Sequence, residues 1–77
     1  MHIAITVMNK ELAYEKETID MLLERYSRAV TYLDNRDISW DDVVMLKNLY
    51  TSNGWAVMTE EYPIMGEYGL FVLGEKW

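Results

Sequence analysis

The spacing of apolar residues changes along this chain, and each spacing predicts a different element. In residues 2–8 the β-branched side chains Ile3, Ile5 and Val7 stand at every second position, which is typical of a strand buried on at least one face. No Gly or Pro interrupts residues 10–33, and apolar residues recur there at helical spacing, as on one face of an amphipathic helix. This apolar stripe consists of Ile19, Leu22, Leu23, Tyr26, Ala29, Val30 and Leu33. A strand is therefore predicted at 2–8 and a helix from residue 10 to about residue 33.

The beginning of this predicted helix is its most polar part, in residues 10–17. A helix over residues 10–33 would be about 36 Å long at about 1.5 Å per residue, which is longer than so small a domain can cover. We therefore expect part of it to overhang, and this part is either frayed or packed against a second copy or a partner. Asn9 can cap this helix. In the alternative, Asn9 and Lys10 turn a short hairpin and the helix begins near Glu15.

A second helix is predicted over residues 40–52. Ser39 stands in the N-cap position, and acidic residues follow at the second and third helical positions, where they accept backbone N–H groups and meet the positive end of the helix dipole. Ile38, just before the cap, can pack onto Val43. The apolar residues at helical spacing are Trp40, Val43, Leu46, Leu49 and Tyr50.

Residues 49–57, LYTSNGWAV, end this helix or turn a hairpin. Asn53 and Gly54 could be the central pair of a tight hairpin turn. A hairpin needs alternating residues before the turn, whereas the preceding residues have helical spacing and a capped start. Gly54 is therefore predicted to be the left-handed residue just past the helix end, followed by Trp55 in a Schellman arrangement.

Two strands are predicted after the second helix, at 55–62 and 68–73, joined by a loop at 63–67. The predicted fold class is α+β with the order β-α-α-β-β, in a single compact domain over residues 1–77. The simplest layout is a small three-stranded antiparallel sheet with the last strand in the centre and two helices packed on one face. Residues 2–8 would flank the last strand on its other edge. One sheet face would stay uncovered and could serve for association, with Phe71, Leu73, Met58 or Trp77 near it.

Composition restricts the class of protein. An apolar fraction of 51% with 13% aromatic residues is too rich in core-forming side chains for a disordered chain. Cysteine is absent, which excludes disulfides, thiol catalysis and cysteine-ligated zinc. No apolar run approaches the roughly 20 residues that span a bilayer, and the start lacks the pattern of a secretory signal. A soluble cytoplasmic protein is the expectation.

The charge restricts the partners. Thirteen acidic and seven basic residues give a net charge of −6 and a pI of about 4.5. Nucleic acids and anionic membranes both bind basic surfaces, so we expect no direct nucleic-acid binding and no membrane binding. The acidity can serve solubility alone, or it can dock on a basic surface of a partner protein.

Residues with catalytic chemistry are few. His2 is the only histidine, so a Ser-His-Asp or Cys-His arrangement has almost nothing to be built from. Paired carboxylates occur at Asp41 and Asp42 and at Glu60 and Glu61. The first pair fits a helix start, and neighbours in a strand point to opposite faces, so neither pair predicts one shared site. We expect no enzymatic activity, no cofactor and no metal.

The helix, Gly-aromatic and strand sequence LYTSNGWAV resembles the C-terminal element of acetyltransferases of the GNAT family. The resemblance covers residues 49–57 only. The Gly-rich loop with which that family binds acyl-CoA has no counterpart here, since the glycines stand at 54, 66, 69 and 74. The chain is also too short for the rest of that family's sheet, so the resemblance implies no acetyltransferase activity.

The predicted hairpin at 55–73 carries the candidate binding site. Trp40, Tyr50, Trp55 and Phe71 fall on apolar stripes and are predicted to be core, whereas the aromatic residues around the hairpin lie where little protein can bury them. Aromatic and apolar side chains with acidic neighbours are typical of an interface centre with a charged rim. The alternative is simple local packing of these side chains under the loop. The predicted partner-binding residues are Glu60, Glu61, Tyr62, Ile64, Met65, Glu67, Tyr68 and Trp77.

The sequence therefore predicts a non-enzymatic protein-binding module. Its size and acidity are compatible with a small inhibitor or modulator of the kind that phages and mobile elements direct at a host protein, covering a basic and possibly nucleic-acid-binding surface. The alternative is a structural homo-oligomer that associates through the first helix or the open sheet face. A small metal-dependent enzyme is a third hypothesis.

Overall fold

The computed structural model describes residues 10–74, so the predicted strand at 2–8 and Trp77 lie outside the described residues. The elements follow the order α-β-α-β-β. They are α1 (Lys10–Tyr26), β1 (Ala29–Asp34), α2 (Trp40–Ser52), β2 (Ala56–Tyr62) and β3 (Glu67–Leu73). None of the helices in the described part of the chain is long and apolar enough to cross a membrane.

The predicted α+β class is confirmed, but the predicted order β-α-α-β-β is wrong because the first helix is shorter than expected. α1 ends at Tyr26, and Ser27 turns the chain with a left-handed φ of 60°. Residues 29–34 then form a strand with alternating burial. Ala29 and Leu33 are four residues apart, a spacing that fits one face of a helix and one face of a strand equally well.

Packing against β3 decides between these two conformations for residues 29–34. β3 offers the segment a full antiparallel ladder, from Ala29 opposite Val72 to Asp34 opposite Glu67. At the start of this ladder, Gly74 lies against the backbone of Ser27, where a Cβ atom would collide with the Ser27 carbonyl. Tertiary pairing therefore overrides the helical pattern of the sequence.

The sheet has the strand order β1-β3-β2 and is antiparallel throughout. The central position of β3 and its pairing with β2 are confirmed. The edge of β3 that we assigned to residues 2–8 is instead occupied by β1. β2 and β3 each begin one residue from the predicted boundary, at Ala56 and Glu67.

Both helices cover the same face of the sheet, as predicted, and the core lies between the two layers. α1 packs on β1, whereas α2 packs on β2 and β3. Tyr50 is buried in this core, and Trp40 and Trp55 are partly buried against it. The buried core residues are Leu12, Ile19, Leu23, Ala29, Leu33, Ile38, Val43, Leu46, Tyr50, Leu70 and Val72.

The two ends of α2 form as the sequence predicts. Ser39 Oγ accepts from the Asp42 backbone N–H, and the Asp42 carboxylate accepts from the Ser39 backbone N–H, both at 3.2 Å, so the capping box is complete. At the other end Gly54 has a φ of 94° and Trp55 donates its N–H to the Tyr50 carbonyl at 3.0 Å. This is the Schellman hydrogen bond, so the helix end is confirmed and the hairpin alternative at residues 53–54 is wrong.

Candidate protein-binding surface

One face of the sheet is not covered by either helix. Side chains alternate between the two faces along each strand, and the register of the ladders shows which side chains share the uncovered side. We call this surface the open face. Its side chains are Val30, Tyr32, Asp34, Ala56, Met58, Glu60, Tyr62, Glu67, Phe71 and Leu73.

The apolar side chains of the open face form a row across all three strands. Val30 lies opposite Phe71, and Phe71 lies opposite Met58. Val30 is 51% exposed and Met58 is 58% exposed. None of residues 10–74 covers this row fully, although burial of apolar surface is favourable by about 25 cal/mol per Å².

Three aromatic rings cluster beside this row, over Gly69. The Tyr32 ring lies 5.9 Å from the Phe71 ring and 5.9 Å from the Tyr62 ring. A Cβ atom at Gly69 would approach the Phe71 ring to 2.8 Å and the Tyr62 ring to 2.9 Å. Gly69 therefore leaves room for the Phe71 and Tyr62 rings over the central strand. The prediction that Phe71 is core is wrong in this respect, because its ring lies on the open face and not between the layers.

Carboxylates occupy the end of the open face nearest the β2-β3 turn. Asp34, Glu67 and Tyr62 lie in one row across the strands. The guanidinium of Arg36 bonds the Asp34 carboxylate at 2.8 Å. Hydrogen bonds from the Arg36 side chain and backbone lower the pKa of Asp34 to about 2, so this carboxylate is neutralised locally.

The two remaining carboxylates of the open face have no ion pair within the described residues. Glu60 accepts a hydrogen bond of 2.9 Å from the Tyr62 hydroxyl, and this bond is the main reason that the pKa of Tyr62 is raised. Glu67 lies on the neighbouring strand. The open face thus has three carboxylates and no cationic side chain of its own, and its potential is negative at the turn end.

The turn between β2 and β3 extends the apolar surface. The Gly66 backbone N–H donates to the Pro63 carbonyl at 3.2 Å, and Gly66 has a left-handed φ of 70°. Between them, Ile64 is 98% exposed and Met65 is 70% exposed. No described residue covers Ile64, so this side chain is available for contact with another molecule.

The structure separates the predicted partner-binding residues into three groups. Glu60, Tyr62 and Glu67 lie on the open face, and Ile64 and Met65 form the hairpin tip. By alternation, Glu61 and Tyr68 lie on the helix-covered side, where the Tyr68 ring packs 5.2 Å from the Trp40 ring and joins the core. Trp77 lies outside the described residues.

Sequence reasoning missed Val30 and Tyr32 as members of this surface. Both fall within the predicted helix at 10–33, because the spacing of Ala29, Val30 and Leu33 fits a helical stripe. The missed signal is the strand propensity of residues 30–32, since Val30 and Thr31 are β-branched and Tyr32 is aromatic.

The described residues offer little for catalysis or metal binding. Residues 10–74 contain no group of three or more His, Asp or Glu side chains that could hold a metal ion. Asp42 is engaged in the α2 capping box, and Glu60 and Glu61 point to opposite faces of the sheet. Comparison of the chain with protein-family models, curated proteins and solved structures gives no match.

Proposed function

We propose that this chain is a non-enzymatic binding protein whose open face and hairpin tip cover a surface on a protein partner. The observation that carries the proposal is the combination, on one face, of exposed apolar side chains with Glu60 and Glu67, two carboxylates that have no ion pair with any described residue. Interfaces commonly have an apolar, aromatic centre and a charged rim. The partner surface that fits is apolar in the middle and basic at one side.

The charge argues for a protein partner over a nucleic acid. Exposed aromatic rings on an antiparallel sheet can stack on unpaired bases, but such platforms also need a basic groove for the phosphates. Glu60 and Glu67 occupy the place where those cations would be needed. Repulsion between these carboxylates and a phosphate backbone disfavours nucleic acid on this face.

The small size and acidity of the chain support a more specific proposal about its biological role. A 77-residue acidic domain with a net charge of −6 is compatible with a phage-type or mobile-element-type modulator that covers a basic surface of a host protein. A surface that normally holds nucleic acid has the matching charge. Linear mimicry of a phosphate array is less favoured, because the acids of α1 are interspersed with Lys10, Lys16 and Arg25.

The same substitution at two exposed methionines tests the apolar part of the proposal. Met58 is on the open face, and Met21 is on α1 with a comparable exposure of 48%. Met58→Gln should weaken partner binding by about tenfold or more, as expected when a central contact residue is replaced. Met21→Gln should leave the affinity unchanged, and both variants should unfold at the parent temperature. The partner for this test is a protein that the parent chain retains from a lysate of its host. Equal affinities of the two variants for that protein, measured by isothermal titration calorimetry, would contradict the proposal.

A further inference from the structure

β1 has an unpaired edge within the described part of the chain. β1 is the first strand of the order β1-β3-β2, so only one of its sides is bonded to a described strand. The Asn35 N–H donates to the Gly66 carbonyl at 2.9 Å, in continuation of the β1-β3 register. Because hydrogen-bonding direction alternates along an antiparallel strand, Thr31 and Leu33 point their backbone groups at β3. The backbone N–H and C=O groups of Val30 and Tyr32 therefore point to the free edge.

We propose that this edge pairs with the same edge of a second copy of the chain, antiparallel, about a two-fold axis at Thr31. In this register Val30 lies opposite the partner's Tyr32, and each can exchange two backbone hydrogen bonds with the other. Arg28 lies opposite the partner's Asp34. An aromatic residue opposite a β-branched one, and opposite charges facing each other, are favourable cross-strand pairs.

Charge and side-chain direction select this register over its neighbours. An axis at Tyr32 would place Arg28 opposite the partner's Arg36 and Val30 opposite the partner's Asp34. An axis at Val30 would leave Arg28 opposite the partner's Tyr32. An axis midway between two residues would place side chains of the open face in one copy opposite side chains of the helix-covered face in the other. The apolar side chains of the two open faces would then not meet. Only the axis at Thr31 pairs cation with anion and apolar with apolar residues.

A groove with a mixed polar and apolar lining lies beside the edge and widens the surface that pairing would bury. At about 3.3 Å per residue the edge of β1 is only about 20 Å long, whereas a stable interface buries about 800 Å² on each partner. The groove is lined by Leu22 and Tyr26 of α1 together with Arg28, Ala29 and Val30. Tyr26 is 62% exposed. Because Val30 and Arg28 lie opposite the partner's Tyr32 and Asp34 in this register, each groove faces the other end of the partner's edge strand.

Arg28 provides the charge complementarity that specifies a second copy. It is exposed and has no ion pair with another described residue, while Asp34, whose carboxylate also binds Arg36 of its own chain at 2.8 Å, stands at the other end of the same strand. A two-fold axis brings each end of the strand to the opposite end of its partner. The resulting dimer has one continuous six-stranded sheet, with the two open faces side by side on one surface. This inference rests on the edge of β1 and not on the proposed binding function of the open face.

The mass of the protein in solution is the first test. Sedimentation equilibrium of the full chain at micromolar concentration should give twice the chain mass of 9.1 kDa. Arg28→Glu should raise the dimer dissociation constant by about tenfold or more, since like charges then face each other across the edge. Lys47→Glu, an equally exposed basic residue on α2, should leave the constant unchanged. A monomeric parent chain would overturn the proposal.

A cysteine placed on the axis is the second test, and the absence of native cysteine makes the result easy to interpret. Thr31 would form a non-hydrogen-bonded pair with its own copy, at a Cα separation of about 4.5 Å that a disulfide can bridge. Thr31→Cys should therefore give a covalent dimer with a mild oxidant. Thr59→Cys is the matched control, because Thr59 flanks Leu70 from the other edge strand, and it should remain monomeric. Crosslinking of Thr59→Cys but not of Thr31→Cys would overturn the assignment of the edge.

Discussion

One buried hydroxyl connects the two helices. Tyr50 of α2 is 4% exposed, and its hydroxyl donates to Asp20 Oδ1 of α1 at 2.6 Å and lies 3.3 Å from the Lys16 carbonyl. Lys16 Nζ also donates to the Asp20 carboxylate at 2.8 Å. Burial, followed by the bond to Asp20, raises the pKa of Tyr50 above its ordinary range. The hydroxyl is thus held protonated between an anion and a backbone carbonyl.

Replacement of this hydroxyl should cost stability without changing the core shape. Tyr50→Phe removes a hydrogen bond to a charged group, so the free energy of unfolding should fall by about 1.5–3 kcal/mol. Urea denaturation followed by circular dichroism measures this change. Tyr14→Phe, at an exposed position of α1 (64% exposed), is the control and should be neutral.

The pH dependence of stability follows from the sign of the Tyr50 shift. The native pKa is raised, so the contribution of the hydroxyl is complete below the unfolded value of about 10 and declines as the pH rises above it. The parent chain should lose stability above pH 10 more steeply than Tyr50→Phe does. If Tyr50→Phe were as stable as the parent at neutral pH and lost stability in parallel above pH 10, the hydroxyl would have no role in joining the helices.

At the scale of elements, the end of α2 depends on one glycine. Gly54 has a φ of 94° and precedes the Trp55 N–H that closes the helix. A β-branched side chain is disfavoured at positive φ, so Gly54→Val should lower the free energy of unfolding by more than about 1 kcal/mol. Ser52→Val is the control, because it places the same β-branched side chain in the last residue of α2, at a helical position. Unfolding of Gly54→Val at the parent temperature would show that this helix end does not need a left-handed residue.

The two helices also show which elements a sequence can predict. α2 was predicted with correct bounds because its signals are local: a capping box at Ser39, acidic residues in the first turn, and Gly54 just past the end. β1 was missed because its conformation depends on a distant partner, the edge of β3. Ala29 and Leu33 fit helix and strand periods alike, and the stop at Ser27 lacks the glycine that marks most left-handed helix ends.

The candidate site was predicted only in part, because only some of its residues are close together in the sequence. The hairpin tip and the carboxylates Glu60 and Glu67 are adjacent in sequence to a recognisable turn at Pro63. Val30 and Tyr32 lie far away in sequence and reach the open face only through strand pairing. Tyr68 was assigned to the partner surface, whereas the alternation of β3 turns it towards Trp40 and the core.

At the scale of the whole molecule, the described sheet has one face that the two helices cover and one face that they leave open. Extents of 32 × 26 × 19 Å leave no third layer within the described residues to cover the sheet. The open face, the hairpin tip and the edge of β1 are three uncovered features of this one side. We infer that the sheet side is the working surface of the molecule, with a protein partner on the open face and a second copy along β1.

A comparison of two double charge reversals tests the central claim most directly. Glu60→Lys with Glu67→Lys changes the open face, whereas Glu17→Lys with Glu24→Lys changes exposed positions of α1 by the same total charge. The proteins that each variant retains from a lysate of the native host are quantified by mass spectrometry beside the parent chain. The account predicts a protein with a basic surface that the parent and the α1 variant retain equally and that the open-face variant loses. Retention of that protein in equal amounts by both variants, with both folded, would contradict the account.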